Sequence, residues 1–202
     1  MAASDNLPIT FFDICENSFY FGVSEAAGLQ EDDFRCSSQP PKQCWIQSMD
    51  RKFLVLKTSG DFKFQDRNLE ERQQSDCSFK IQIYQDSSKK DGAQPVMLYT
   101  NKSPNGLMVV YCKSSSEIVP ENMDLNNFAP PKTIDGTKHE ALFYWRKVSC
   151  DKYTFESTMY KGHFLAFEPN RDNSCLHKLI LCQKALDEVD ETCNIVVTSQ
   201  KS

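Results

Sequence analysis

The stretch Tyr153-Thr154-Phe155-Glu156-Ser157-Thr158-Met159-Tyr160-Lys161-Gly162-His163-Phe164-Leu165-Ala166-Phe167 decides the fold. Residues 153–157 and 163–167 are two β-type runs rich in aromatic side chains. The polar segment between them ends in Gly162, a residue that can turn the chain at positive φ. Two such runs around a glycine-containing segment predict a β-hairpin with a loop longer than two residues.

The same type of run recurs on both sides of this hairpin. Residues 45–49, 53–56, 61–64, 79–84, 96–99, 108–111, a weaker 117–119, 141–145, 178–181 and 194–197 bring the count to twelve strands. Alternation is clearest where Phe79, Ile81 and Ile83 share one face and Lys80 and Gln82 the other. With no long amphipathic helix, this pattern predicts an all-β fold. Sandwiches, barrels and β-trefoils all suit many short strands. Twelve strands divide into three four-strand units, as a trefoil requires, although no threefold repeat is visible in the residues. Breakers separate the runs at 103–106, 86–92 and 129–132. Residues 33–44 read as a linker, 173–177 as a loop, and 183–191 as an acidic segment with room for a helical turn. Residues 10–21 are too apolar for a solvated tail and are expected to fold back on the body as an added strand or short helix.

Charge divides the chain. Residues 1–32 hold Asp5, Asp13, Glu16, Glu25, Glu31 and Asp32 with no Lys or Arg, whereas the whole chain has 28 acidic and 23 basic residues. Residues 33–202 then hold 22 acidic against 23 basic residues, so the whole negative balance sits in a separable head, expected to be an acidic pro-segment, with the folded domain over 33–202. The first residues have no basic cluster and no long apolar run, so no secretory signal is expected and synthesis should be cytosolic. No stretch reaches the length of a membrane span. Nine cysteines are present without a Cys-x-x-Cys pair, and His139, His163 and His177 do not cluster with them. No metal site or cofactor is expected from this spacing; the cysteines read as free thiols, with disulfides open after release from the cell.

The enzyme classes find little support. Cys175 and His177 lie two apart without an orienting third group. Seven glycines make no phosphate-cradling loop. An acidic chain with no dense basic patch is a poor nucleic-acid binder. Glycan-binding trefoils would show visible repeats or dense Lys and Arg.

Phe155-Glu156-Ser157, then Gly162-His163-Phe164-Leu165-Ala166, Arg171-Asp172 and Lys178-Leu179-Ile180-Leu181 resemble, in that order, the C-terminal half of the interleukin-1 cytokine family. Asn17-Ser18-Phe19-Tyr20-Phe21, Ser75-Asp76-Cys77, Ile83-Tyr84-Gln85-Asp86, Pro130-Pro131 and Phe143-Tyr144-Trp145-Arg146 extend the resemblance over most of the chain. It implies a β-trefoil, leaderless synthesis and release, maturation by an inflammatory caspase, and monomeric binding to a two-chain immunoglobulin-domain receptor, with a soluble binding protein as a further partner. Signalling would favour interferon-gamma production and type 1 responses. A receptor antagonist or a non-signalling trefoil module is the alternative.

The resemblance also carries residues. Leu29-Gln30-Glu31-Asp32 matches the family's maturation site, with cleavage expected after Asp32; the bond after Asp33 is the rival. Asp187-Glu188-Val189-Asp190 has the form of an executioner-caspase tetrapeptide, a second candidate cut after Asp190. Receptor-facing positions map to Gln47, Arg51, Gln85, Glu140, Arg146 and Asp172. Gln85 stands where the family has a basic residue, and Lys89 and Lys90 could supply that charge. The chain departs from the family before the first strand and in the 86–95 and 173–177 loops, so receptor contacts there carry over least.

Overall fold

The computed structural model describes residues 33–202 apart from 87–91, 103–105, 124–128, 137, 171–172, 186 and 201–202, together with two strands nearer the N-terminus. The chain divides into two compact units, Met1–Glu31 and Asp32–Ser202. In the first, β1 (Ile9–Cys15) pairs antiparallel with β2 (Ser18–Val23). The apolar run at 10–21 is thus a pair of strands rather than a helix.

The second unit opens with β3 (Asp33–Cys36). Three four-strand groups follow. The first is β4 (Lys42–Gln47), β5 (Phe53–Leu56), β6 (Phe62–Gln65) and β7 (Phe79–Asp86). The second is β8 (Gln94–Lys102), β9 (Gly106–Cys112), β10 (Ile118–Met123) and β12 (Leu142–Lys147), with the short β11 (Thr133–Asp135) inserted before its last member. The third is β13 (Lys152–Ser157), β14 (His163–Asn170), β15 (Asn173–Gln183) and β16 (Ile195–Ser199). Every one of the twelve runs expected from the sequence falls on one of these strands.

The pairing repeats threefold even though the residues do not. In each group the first strand pairs antiparallel with the last and with the second, and the second with the third. Between groups, β7 pairs β8, β12 pairs β13, and β16 returns to β4. The ring β4-β7-β8-β12-β13-β16 therefore closes into a six-strand barrel without an open edge. The hairpins β5–β6, β9–β10 and β14–β15 hang from it. They meet one another where His177 pairs Phe64 and where Glu117 bridges Ile180. This is a β-trefoil.

Alternation explains the core. Phe79, Ile81 and Ile83 of β7 point into the main apolar cluster beside Ile46, Val96, Phe143, Phe155 and Ile195. The opposite face of β7 is not simply solvated, as its Lys80 and Gln82 suggest: Gln82 is buried and its Nε2 donates to the Ile83 carbonyl at 3.0 Å. That face belongs to a second cluster containing Phe34, Tyr84, Met97, Tyr99, Ile134 and Leu142. Phe34 comes from β3 and Ile134 from β11, which pair with each other while β3 also pairs with the edge of β7. The supposed linker at 33–44 is therefore strand at both ends. Its single buried aromatic anchors it, helped by Tyr84 Oη donating to the Pro131 carbonyl at 2.8 Å. Residues 173–177, read as a loop, begin β15 instead, because they extend the ladder with β14 through His177 opposite Pro169.

The signature hairpin is held by its own polar residues. Ser157 Oγ accepts from the amides of Met159 and Tyr160 at 3.2 and 3.1 Å. Glu156 Oε1 accepts from the Gly162 amide at 3.0 Å. Gly162 sits at φ 76°, where a side chain would be strained. The Glu-Ser pair thus satisfies loop amides that the ladder leaves open.

Candidate functional site

Gln47 and Arg51 are brought together at the β4–β5 turn. Gln47 ends β4, and its Nε2 donates to the Arg51 carbonyl at 3.3 Å while its Oε1 accepts from Thr198 Oγ1 at 3.3 Å. The turn is braced from below by residues that the sequence reading did not single out. Ser48 is fully buried and donates through Oγ to Asp50 Oδ1. The Arg51 amide donates to the Ser48 carbonyl at 2.9 Å, and the Lys52 amide to Ser48 Oγ at 3.2 Å. Asp50 Oδ2 lies 3.6 Å from Lys52 Nζ and 3.6 Å from His177 Nδ1 on β15. These contacts fix the backbone and leave the Arg51 side chain exposed to solvent.

Arg51 adopts φ 64°, the left-handed region otherwise used among the described residues by glycines. That conformation costs an L-residue roughly 1–2 kcal/mol. Arg51→Gly keeps both turn hydrogen bonds, which run through the backbone. After allowance for glycine's looser unfolded chain it is expected to stabilise the protein by about 0.5–1 kcal/mol. Urea unfolding checks the sign; a loss of stability would show that the Arg51 side chain supports the turn.

Gln85 and Arg146 occupy a different region. Gln85 is exposed near the end of β7 and pairs with Arg35 of β3. Arg146 is half-buried on β12 and pairs with Thr154. The two strands flank β8, where Ile83 and Phe143 both pair with Val96. Tyr144 Oη donates to Asp86 Oδ2 at 3.0 Å across this junction. Glu140 stands at the other end of β12, half-buried, with its carbonyl accepting from the Cys112 amide at 2.9 Å. At about 3.3 Å per residue, the strand between them keeps Glu140 and Arg146 from forming an ion pair with each other. The expected receptor positions thus fall into two groups, one at the β4–β5 turn and one around β7 and β12. Lys89, Lys90 and Asp172 lie outside the described residues, as do Leu29 and Asp32.

The two remaining processing residues are placed differently. Asp33 opens β3, opposite Asp135 of β11, and the next residue is the buried Phe34. Asp190 caps a short 3-10 turn, Glu191–Cys193, with Oδ1 accepting from Thr192 N at 2.9 Å and Thr192 Oγ1 at 2.7 Å. These hydrogen bonds hold the Asp190 carboxyl below its usual range. Val189 just before it is strongly exposed. Burial pushes the thiols of Cys44, Cys112 and Cys193 up to about 12, and Cys44 and Cys112 pack in the main apolar cluster as small core residues. Cys175 and His177 both lie on β15, the first exposed and the second buried.

A closed trefoil whose candidate residues sit on exposed turns and strand ends has the build of a protein that acts through its surface. Among solved structures, a point mutant of Gallus interleukin-1 beta is similar in fold, with a TM-score of 0.58 and 17% identity, covering 82% of this chain and 99% of that one. Residues 67–191 match the Interleukin-1 / 18 family. Relatives include interleukin-18 of Sus scrofa, 30% identical over 83% of this chain and 82% of its own length, and interleukin-18 of Bos taurus, 29% identical over 91% and 89%. Interleukin-18 of Homo sapiens is 28% identical over 87% and 84%. The chain belongs to the interleukin-1/18 family. It is a cytokine of that type, a signalling protein rather than an enzyme.

Proposed function

We propose that this chain is the precursor of a pro-inflammatory cytokine, with residues 1–32 as an acidic pro-segment and 33–202 as the active trefoil. An inflammatory caspase removes the pro-segment after Asp32. The released body engages the interleukin-18 receptor alpha and beta chains through the β4–β5 turn and the β7–β12 region, inducing interferon-gamma and type 1 responses. The precursor resides in the cytoplasm and the mature form acts outside the cell.

One observation carries this reading: the first compact unit ends at Glu31, and the first strand of the second opens at Asp33. Proteases bind their substrates as extended strands through backbone hydrogen bonds, which favours a bond outside an existing ladder. The bond after Asp33 lies inside β3, while the bond after Asp32 precedes it. A cut after Asp32 also places a new ammonium group on Asp33, directly across from Asp135, where two carboxylates now oppose each other. Like charges in that arrangement destabilise a strand pair. The bond after Asp190 is less favoured, since its carboxylate is engaged in capping. A cut there would detach β16, which closes the barrel between β13 and β4.

Mass spectrometry of the caspase-treated chain, followed by addition to cells bearing both receptor chains, tests the proposal. A product beginning at Asp33 that signals where the intact chain does not is the expected result. Equal signalling by the intact chain would overturn the precursor reading. Receptor binding without signalling would identify an antagonist.

A further inference from the structure

We propose that Cys182, Asp190 and Cys193 form a binding site for one thiolate-preferring divalent cation of the zinc type, with solvent as the fourth ligand. This site is independent of the receptor reading and of the cut after Asp32. The sequence offers no motif for it, since the three residues are separated by eight and three positions. The fold brings them together. Cys182 lies at the end of β15, opposite Phe164 of β14. Asp190 and Cys193 are three apart across a 3-10 turn, where residues at that spacing lie above one another.

The geometry suits a tetrahedral ion. The three candidate ligand atoms all lie within 4.8 Å of one another. The two sulfurs face the same carboxylate oxygen: Asp190 Oδ2 is 3.9 Å from Cys182 Sγ and 3.7 Å from Cys193 Sγ. Metal bonds of about 2.3 Å to sulfur and about 2.0 Å to oxygen at tetrahedral angles would place sulfur and oxygen roughly 3.5 Å apart. The sulfur–oxygen pairs need to close by a few tenths of an ångström, and the two sulfurs, within 4.8 Å of each other, by up to about 1 Å to reach the roughly 3.8 Å of a tetrahedral pair.

The surroundings supply what a built site needs. Thr192 occupies Asp190 Oδ1 with its amide and hydroxyl, so the other oxygen is turned toward the thiols. Such outer contacts orient metal ligands in general. Binding releases two thiol protons to solvent as the ion takes two thiolates and the carboxylate. The assembly then carries one net negative charge. Lys184 Nζ lies 4.9 Å from the centroid of the Phe164 ring, the residue opposite Cys182, and so brings a cation to the same region. Cys193 is fully buried, whereas Cys182 and Asp190 are half-exposed, which leaves an open side for entry and for a water ligand.

The test uses the full reduced chain carrying Cys150→Ser and Cys175→Ser, which removes two exposed thiols from competition. Zinc is titrated against a chromophoric chelator, and cadmium is followed by its thiolate charge-transfer absorption. One ion per chain is expected. Cys182→Ser and Asp190→Asn should each weaken binding at least tenfold, the low end for disturbing even the supporting contacts of a metal ligand. Asparagine remains a good cap for the turn, so Asp190→Asn separates ligand loss from misfolding. No uptake by the reduced chain, or uptake unchanged in both variants, would overturn the site.

Discussion

Changing Asp32 to alanine is expected to slow caspase release of the pro-segment by about four orders of magnitude, the penalty when a pocket built for a polar group receives an analogue lacking it. The reason lies in the enzyme's buried donors, which stay unpaired when the carboxylate is missing. Asp33→Ala should be processed at a rate close to the parent's, because its side chain follows the bond and its backbone is already held by β11. Quantifying the cleaved fraction over time for both variants decides between the two bonds. If Asp33→Ala resists and Asp32→Ala is cut normally, the enzyme opens the first residue of β3 and the boundary moves by one. If both are cut at the parent rate, residues 29–33 are not the processing site.

Phe155→Ala is expected to remove about 3–5 kcal/mol of stability, the range for emptying a buried phenylalanine site. Phe155 is fully buried on β13, the strand that joins β12, β14 and β16. Its ring stacks on Trp145, directly opposite in the ladder, with centroids 6.3 Å apart and planes 4° from parallel. The main cluster around it contributes side chains from all three trefoil groups, so a cavity here has no single flexible neighbour to fill it. Against a total stability of about 5–15 kcal/mol, such a loss leaves little margin. Thermal unfolding should fall by about 10 °C in a domain of this size. A change of one or two degrees would mean that the barrel relaxes around the gap and that Phe155 is not central to it.

The expected gain from Arg51→Gly has a functional counterpart. A side chain kept in a left-handed conformation at a rigid, exposed turn is compatible with a contact role that opposes stability. Under the proposed receptor reading, the same substitution that raises stability should weaken receptor binding. A more stable variant with unchanged binding would remove Arg51 from the receptor surface while leaving the fold untouched.

Local signals were strong wherever one strand carried its own evidence. Phe79, Ile81 and Ile83 alternate cleanly, and Glu156, Ser157 and Gly162 together specify a hairpin loop whose hydrogen bonds are now assigned. β3 and β11 left weaker traces. Each is short and carries one buried apolar residue, Phe34 or Ile134, whose partner lies about a hundred positions away. Nothing nearby in the chain marks such a residue as core. The β4–β5 brace shows the same difficulty, since Asp50 meets His177 only after β15 has folded against β6.

By itself, the sequence determined the all-β class, the positions of the twelve strands and the acidic composition of the first 32 residues, because periodicity and charge are properties of neighbours in the chain. The tertiary structure alone decided the closure of the barrel, the burial of the second face of β7, the two-part distribution of candidate receptor residues and the meeting of Cys182 with Asp190 and Cys193. Those depend on which strands pair at long range. Pairing is set by the joint burial of many side chains, a free energy that no single segment contains.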